Sequence, residues 1–537
     1  MPRSVMEHSF AEVPRANIPR SSFNRGHAHK TTFDADRLIP ILVDDIVPGD
    51  TFNVNMNFFA RLATPLYPLM DNLYLESFFF FVPYRLLWTN FEKFHGSQDD
   101  PDDSIDFTIP SLAAGQLLST GDLGDYMGLP INYNSSTGPS VSALPFRAYQ
   151  LIWNDWFRDQ NLQDTWVVQT DNGPDSDAEN GWSSAPRKRG KRHDYFTSCL
   201  PAPQKGAAVS LGLGGTAPIT GIGVVGGTNV SSVAVTESDG STPTYADAWN
   251  TAVSTDINIE ESSVNAVPNI FADLSQAQSI TINDLRLAFQ TQRLLERDAR
   301  SGTRYNEMIL AHYGVTVPDF RVQRPEFLGG GSSKINVTPV AQTSGQPVPA
   351  ANDQLGQLGA FGTVSGSHGF TKSFTEHGVL LGLVNVRGDI TYSQGLERYW
   401  TKSTRYDFYY PVLAQIGEQA VLNQEIYLQN VAGTGATDDQ GVFGYQERYA
   451  EMRYKPSLVT GLFRPTASAS LEAWHLSEEF TSLPALGDTF IQSNTGGPLD
   501  RAIGIDTEPH VIFDSYIDMQ CARPMPVNGV PGNLDHF

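Results

Sequence analysis

The sequence predicts a mainly β protein with a few short helices. Three observations carry that prediction. Gly 47 and Pro 34 supply turns at a density that favours β architecture over a helical one. Phe52, Val54, Met56 and Phe58 alternate with Thr51, Asn53, Asn55 and Asn57, the two-residue period of a strand with one buried face. Helical spacing is confined to a few segments.

The 537 residues exceed one ordinary core, so a large domain with insertions, or two to four domains, is expected. The net charge of −23 excludes a protein that grips nucleic acid over its whole surface, and leaves phosphate contact to local basic patches. Cys199 and Cys521 are the two cysteines; they make no disulfide framework and sit in no metal-ligand spacing. No apolar segment follows the charges of the first residues, and the longest strongly apolar run is 78–82. A soluble protein without a signal peptide is therefore expected.

Residues 1–30 form a basic arm. Arg3, Arg15, Arg20, Arg25 and Lys30 face two acids, a local +3 that leaves −26 for the remainder. Without any period the arm reads as extended or disordered until it meets a partner, either DNA phosphates or another subunit. His27-Ala-His29 has no further ligands nearby, so no metal is expected.

The strand at 50–62 is followed by 72–82, apolar on both faces and hence a central strand. Pro83 then opens a helical spacing through Leu86, Leu87, Asn90, Phe91 and Phe94. Residues 94–146 carry seven Asp and no Lys or Arg, which predicts an acidic surface loop over 96–144. Pro145 opens a second helix whose Phe146, Tyr149, Ile152, Trp153, Trp156 and Phe157 make an aromatic stripe, read as core or subunit interface.

The run PRKRGKRHDYFTSCLPAPQKG at 186–206 opens with five cations in six residues, Arg187, Lys188, Arg189, Lys191 and Arg192. It reads as the exit from a folded scaffold, 31–205, into an insertion, and its cations as inter-subunit or DNA contacts. Residues 206–285 hold eight acids and no Lys, Arg or His among small polar residues, a flexible or loosely β-structured insertion. GIGVVG at 221–226 has the form of a dinucleotide fingerprint but is followed by poor helix material, so no cofactor is assigned to it.

Residues 281–314 are read as helical, with Thr281 and Asp284 as a capping box and Leu285, Ala288, Phe289, Leu295 and Ala299 as a buried stripe. Arg286, Arg293, Arg297, Arg300 and Arg304 share a face. Glu296, Asp298 and Glu307 are near enough to pair with them, so inter-subunit or intramolecular salt bridges are favoured over DNA. Residues 329–377, rich in Gly, Ser and Gln, read as a long loop. β-patterned segments then follow at 378–392, 404–414, 442–454 and 510–521, within a second scaffold part spanning 281–537. The tail from 523 is turn-rich.

No nucleophile elbow, HExxH helix, phosphate-binding loop or Cys–His cluster is present, so neither catalysis nor a cofactor is expected. Acidic loops and aromatics leave one alternative, a β-rich carbohydrate-binding or carbohydrate-hydrolysing protein, which the missing signal peptide disfavours.

HDYFTSCLPAPQKG (193–206) resembles a signature of the major capsid proteins of the Microviridae, the gokushovirus branch in particular. FNRGHAHKTTFDADRLIPI (23–41), LERDARSGTRYNE (295–307), VQRPEFLGGGS (322–332) and RYAEMRYKPSLVTG (448–461) are similar to the same proteins. The resemblance implies an eight-stranded antiparallel viral jelly roll with long loop insertions, self-assembling through pentamers into a T=1 icosahedral shell around circular single-stranded DNA. It further implies a small basic DNA-packaging protein and a minor pilot protein as partners. A threefold protrusion for attachment to a bacterial surface receptor is implied too, mapped here to 206–280. Assembly in the host bacterial cytoplasm follows from the same likeness.

Overall fold

A computed structural model describes residues 19–100, 102–207, 209, 282–300, 305–313, 323–343, 358–429, 438–504 and 508–528. The chain divides into two compact units, Met1–Pro203 with Val315–Phe537, and Gln204–Gly314.

The larger unit is built on strands β1 (Ser21–Asn24), β2 (His27–Phe33), β3 (Ile39–Ile46), β4 (Thr51–Leu62), β5 (Leu73–Pro83), β6 (Glu326–Ala341), β7 (Leu358–Ser373), β8 (Gly378–Gly388), β9 (Glu418–Leu422), β10 (Val442–Glu447) and β11 (Val511–Arg523). The main sheet runs β1-β11-β4-β7-β6-β5-β8-β3, with β2 also on β11, while β9 and β10 pair separately. Every pairing is antiparallel. This is the expected mainly β jelly-roll scaffold.

Its curl follows from β6. The first part of that strand pairs with β5 up to Ile335, and from Asn336 onward it pairs with β7. One strand thus turns the sheet back on itself, and the inward faces meet. Phe52, Val54, Met56 and Phe58 of β4 join Phe513, Ile517 and Met519 of β11, Phe79 and Phe81 of β5, and Leu380 and Val384 of β8 in one core. The alternation read in β4 is borne out residue by residue: its even positions are buried, and its odd ones from Asn53 to Arg61 are exposed.

β5 and β8 are covered on both faces, as the unbroken apolar run of β5 predicts. Their other faces, with Phe80, Val82, Leu381 and Leu383, pack on a second core of Leu87, Trp88, Phe146, Tyr149, Ile152, Trp153 and Trp182. The aromatic helix therefore lies in the core, as Leu144–Ile152 continued by a π-turn at Trp153–Phe157. The helix after Pro83 breaks into two single turns, Tyr84–Leu87 and Phe91–Phe94. Within the acidic segment 96–144, Leu112, Leu118, Leu123 and Tyr133 also enter the second core, so only part of it faces solvent.

Three expectations are corrected. Residues 329–377 are not a long loop, since most of that segment lies in β6 and β7. Glycine is there for proximity rather than for turning. A Cβ on Gly330 would run into the Ser77 carbonyl oxygen, one on Gly369 into that of Val54, and one on Gly366 would lie 2.8 Å from the Phe58 ring. Side chains would hold these strands apart. Residues 404–414 form two 3-10 turns, Arg405–Asp407 and Pro411–Leu413, rather than a strand. Asp407 accepts the backbone N–H groups of Ser403 and Thr404, and Pro411 lacks the donor a ladder needs. In the smaller unit, helix Ile282–Arg300 has no buried residue: Phe289 is 65% exposed and Leu285 38%. Its apolar stripe is not a core stripe within the chain. The Thr281 cap, the GIGVVG run and nearly all of the 206–280 insertion lie outside the described residues.

Gly330→Ala and Gly369→Ala are expected to destabilise the unassembled protein by about 1–3 kcal/mol each through overpacking. Gly359→Ala, where an added Cβ meets nothing within 4 Å, serves as the neutral control. Urea unfolding of the three variants measures the difference; equal midpoints would remove the close-approach explanation.

Candidate assembly and ligand surfaces

The basic run at 187–192 is threaded through the scaffold. Its backbone exchanges hydrogen bonds with neighbouring segments, Leu38 N–H to the Arg187 carbonyl, Arg189 N–H to Asp36, and Ser493 N–H to Arg189. Arg187 stays exposed, whereas Lys191 is buried and both Arg189 and Arg192 reach a buried carboxylate. Arg187 stacks 4.3 Å from the Trp166 ring centre. Lys191 donates to Glu478 at 2.6 Å, both side chains buried. Arg189 pairs with Glu76, as do Arg192 at 3.1 Å and Arg387 of β8 at 3.2 Å. Arg192 also reaches Asp389 at 2.9 Å.

Glu76 is thus a buried carboxylate ringed by three guanidiniums. Burial alone pushes its carboxyl up, but Arg189, Arg387 and Arg192 together outweigh burial and hold it below the ordinary carboxylate range. Arg387 is lowered to about 10, by burial first and by its cationic neighbours next. Arg189 and Lys191, expected as inter-subunit or DNA contacts, pair within the chain with Glu76 and Glu478. Arg192 is paired too, although a third of its side chain remains exposed.

The arm cations are placed in a similar way. Arg25 grips Asp44 with two nitrogens, one at 2.9 Å. Lys30 pairs with Asp514 at 2.8 Å, both exposed. Arg20 donates to the Gly49 carbonyl oxygen and to Thr51 Oγ1. Arg3 and Arg15 lie outside the described residues. His27 and His29 direct Nδ1 at the backbone carbonyl oxygens of Arg25 and Ile41, and no cluster fit for a metal occurs among the described residues. On helix Ile282–Arg300, Arg293, Arg297 and Arg300 are exposed; Asp298 is bonded to His312 at 2.6 Å.

Two apolar surfaces have no counterpart in the sequence reading. On the outer face of the main sheet, Phe59 of β4 stands opposite Asp514 of β11, with Ile512 and Tyr516 one diagonal step to either side. All three are about half exposed, at 52%, 55% and 50%. The second surface is a shelf over residues 399–416, where Tyr399, Trp400, Tyr406, Phe408, Tyr409, Tyr410, Val412 and Ile416 are all exposed. Beside it opens a cavity of about 550 Å³ walled in part by Tyr195, Phe196, Tyr392, Trp400 and Tyr454. At its lining Glu425 is pushed up by burial, although Leu422 N–H, Arg398 and the Tyr195 hydroxyl oppose the shift. A strand pattern and an aromatic-rich exposed turn look alike in one dimension, which is why the shelf escapes sequence reasoning.

A profile of the family described as "Capsid protein (F protein)" matches residues 11–533. The chain is 43% identical to capsid protein VP1 of Bdellovibrio phage phiMH2K, over 99% of this chain and 98% of that one. Identity is 40% with capsid protein VP1 of Chlamydia phage 1, covering 98% of both. With that of Spiroplasma virus 4 it is 36%, over 98% and 97%.

Glu76→Gln is expected to destabilise the fold by about 3–5 kcal/mol, because it leaves buried guanidiniums without their counter-charge. Native Glu76 lies below its unfolded value, so its contribution is complete above about pH 5. It is lost as pH falls through the ordinary carboxylate value of about 4.3 toward the native one. Denaturation of wild type and variant at pH 7 and at acid pH tests this. The gap between them should narrow in acid, and a gap that widens would contradict the hub.

Proposed function

The chain belongs to the capsid protein (F protein) family of bacteriophages, with gokushovirus relatives among the Microviridae, and we propose that it assembles through pentamers into a T=1 icosahedral shell around circular single-stranded DNA. The family is structural, so the carbohydrate-hydrolase alternative is set aside. The observation that carries the reading is the length of the match: similarity runs through the scaffold strands, the loops between them and nearly to both ends.

The chemistry of the surfaces supports it. A lone chain that leaves Phe59, Ile512 and Tyr516 together in water exposes what an assembly buries. Charge supports the partners. A genome is dense in phosphate and this chain carries −23, with several of its cations already matched internally. Most neutralisation must then come from elsewhere, which suits a separate small basic packaging protein. Arg3 and Arg15 are the arm cations proposed for phosphate contact, with Arg20, Arg25 and Lys30 available after exchange of their present partners. A minor pilot protein and assembly in the host bacterial cytoplasm belong to the same reading.

The insertion 206–280 is proposed as the threefold protrusion that meets a bacterial surface receptor. Seventy-five residues without a cation would be repelled by packaged DNA, and their small polar composition favours a solvated outer position.

Two outcomes are expected. Phe59→Asp with Ile512→Asp should abolish closed particles by electron microscopy while leaving the thermal melt of the unassembled chain nearly unchanged, since both side chains are exposed. Particles of normal yield would remove this face from the interface. Replacing residues 207–279 with a short Gly/Ser linker should still give closed particles, but ones that fail to adsorb to host cells; normal adsorption would refute the attachment role.

A further inference from the structure

We propose that the shelf at 399–410 and the cavity beside it are a binding site for single-stranded DNA, with bases stacked on Trp400 and its neighbours and phosphates against Lys402 and Arg405. The proposal rests on the reading that the shell encloses such DNA, and it adds where and how the protein holds it.

The aromatics carry the first part of the argument. Trp400 is 71% exposed, and Tyr399 meets it edge-on with ring centres 5.3 Å apart. The nearby turns expose Tyr406, Phe408, Tyr409 and Tyr410. Subunit contacts are enriched in aromatics and Arg but depleted in Lys, whereas here Lys402 lies among the rings. Lys402 Nζ stands 5.1 Å from the Phe408 ring centre and 5.6 Å from that of Tyr399, and the Arg405 guanidinium 4.8 Å from Tyr406. Stacking surfaces interleaved with cations are what a single strand needs. Every base has a π-face to lay on a ring, and every nucleotide brings one phosphate.

The second part is charge. Arg189, Lys191, Arg192, Arg25 and Lys30 are matched by acids, and no ion pair to Lys402 or Arg405 occurs among the described residues. In a chain of net −23, unmatched cations on an aromatic shelf favour an anionic occupant.

The cavity is the third part. Its volume of about 550 Å³ lies within the ~300–1,000 Å³ of small-ligand sites. Ser393, at its lining, holds a hydroxyl sealed from water and without a hydrogen-bond partner among the described residues.

The test uses the full-length unassembled protein and a fluorescein-labelled oligo-dT, with the corresponding dA·dT duplex as comparison, read by anisotropy. The single strand is expected to bind more tightly than the duplex. Trp400→Leu should weaken it roughly tenfold, within the range of one lost base stack, and Trp400→Phe should restore most of the loss. Lys402→Gln with Arg405→Gln should flatten the salt dependence of binding. Exposed positions make misfolding avoidable, and a matching thermal melt confirms each variant. Equal affinity of all variants would overturn the proposal. So would Trp400→Leu protein that binds oligo-dT normally but forms no particles, which would make the shelf a contact between copies. Particles devoid of single-stranded DNA would instead defeat the shell reading, while the titration judges the shelf separately.

Discussion

The strand pair β5–β8 is the constraint on which the other elements depend. Both of its faces are buried, one against the main core with Phe79, Phe81, Leu380 and Val384, the other against the aromatic helix and Trp182. A pair covered twice cannot shift register, because a one-residue slip would exchange the two sets of side chains. Yet the pair also carries Glu76 and Arg387 at buried positions. Those charges are tolerable only because Arg189 and Arg192 arrive from a distant part of the chain. The apolar layers and the polar hub therefore require each other.

The opposite device operates at β6 and β7. There the sheet has to double back, and it does so with strands stripped of side chains. His368 fills part of the space left. Its Nδ1 is 2.7 Å from the Ser77 hydroxyl and its Nε2 3.1 Å from that of Ser333, linking β5, β6 and β7 through one ring. Burial lowers its affinity for a proton, which keeps the ring neutral and able both to donate and to accept. Glycine gives proximity and histidine gives the cross-link.

Charge has a different distribution from the one composition alone conveys. Arg189 and Lys191 of the most basic stretch are matched inside the chain, Arg25 and Lys30 of the arm pair with Asp44 and Asp514, and Lys402 and Arg405 stand among aromatic rings. A chain with net −23 repels phosphate on average, so any phosphate it meets is held by local cations rather than by bulk charge.

The sequence by itself determined the fold class, the strands β4, β5, β8 and β11, the aromatic stripe after Pro145, and the family, since each rests on local periodicity or on contiguous motifs; that the stripe packs in the core rather than on another subunit came from the structure. A period of two fixes which side of β4 is buried wherever its partners come from. What only the tertiary structure decided depends on segments far apart in the chain. Glycine-rich β6 and β7 are strands because of what they must pass close to, and no property of 329–373 alone says so. Arg189, Lys191 and Arg192 point inward because Glu76, Asp389 and Glu478, between about one hundred and three hundred residues away, are waiting there. The shelf at 399–416 is exposed because Asp407 and Pro411 make turns of a segment whose composition reads as strand. Periodicity is a property of neighbours in sequence, whereas charge pairing and close approach are properties of neighbours in space.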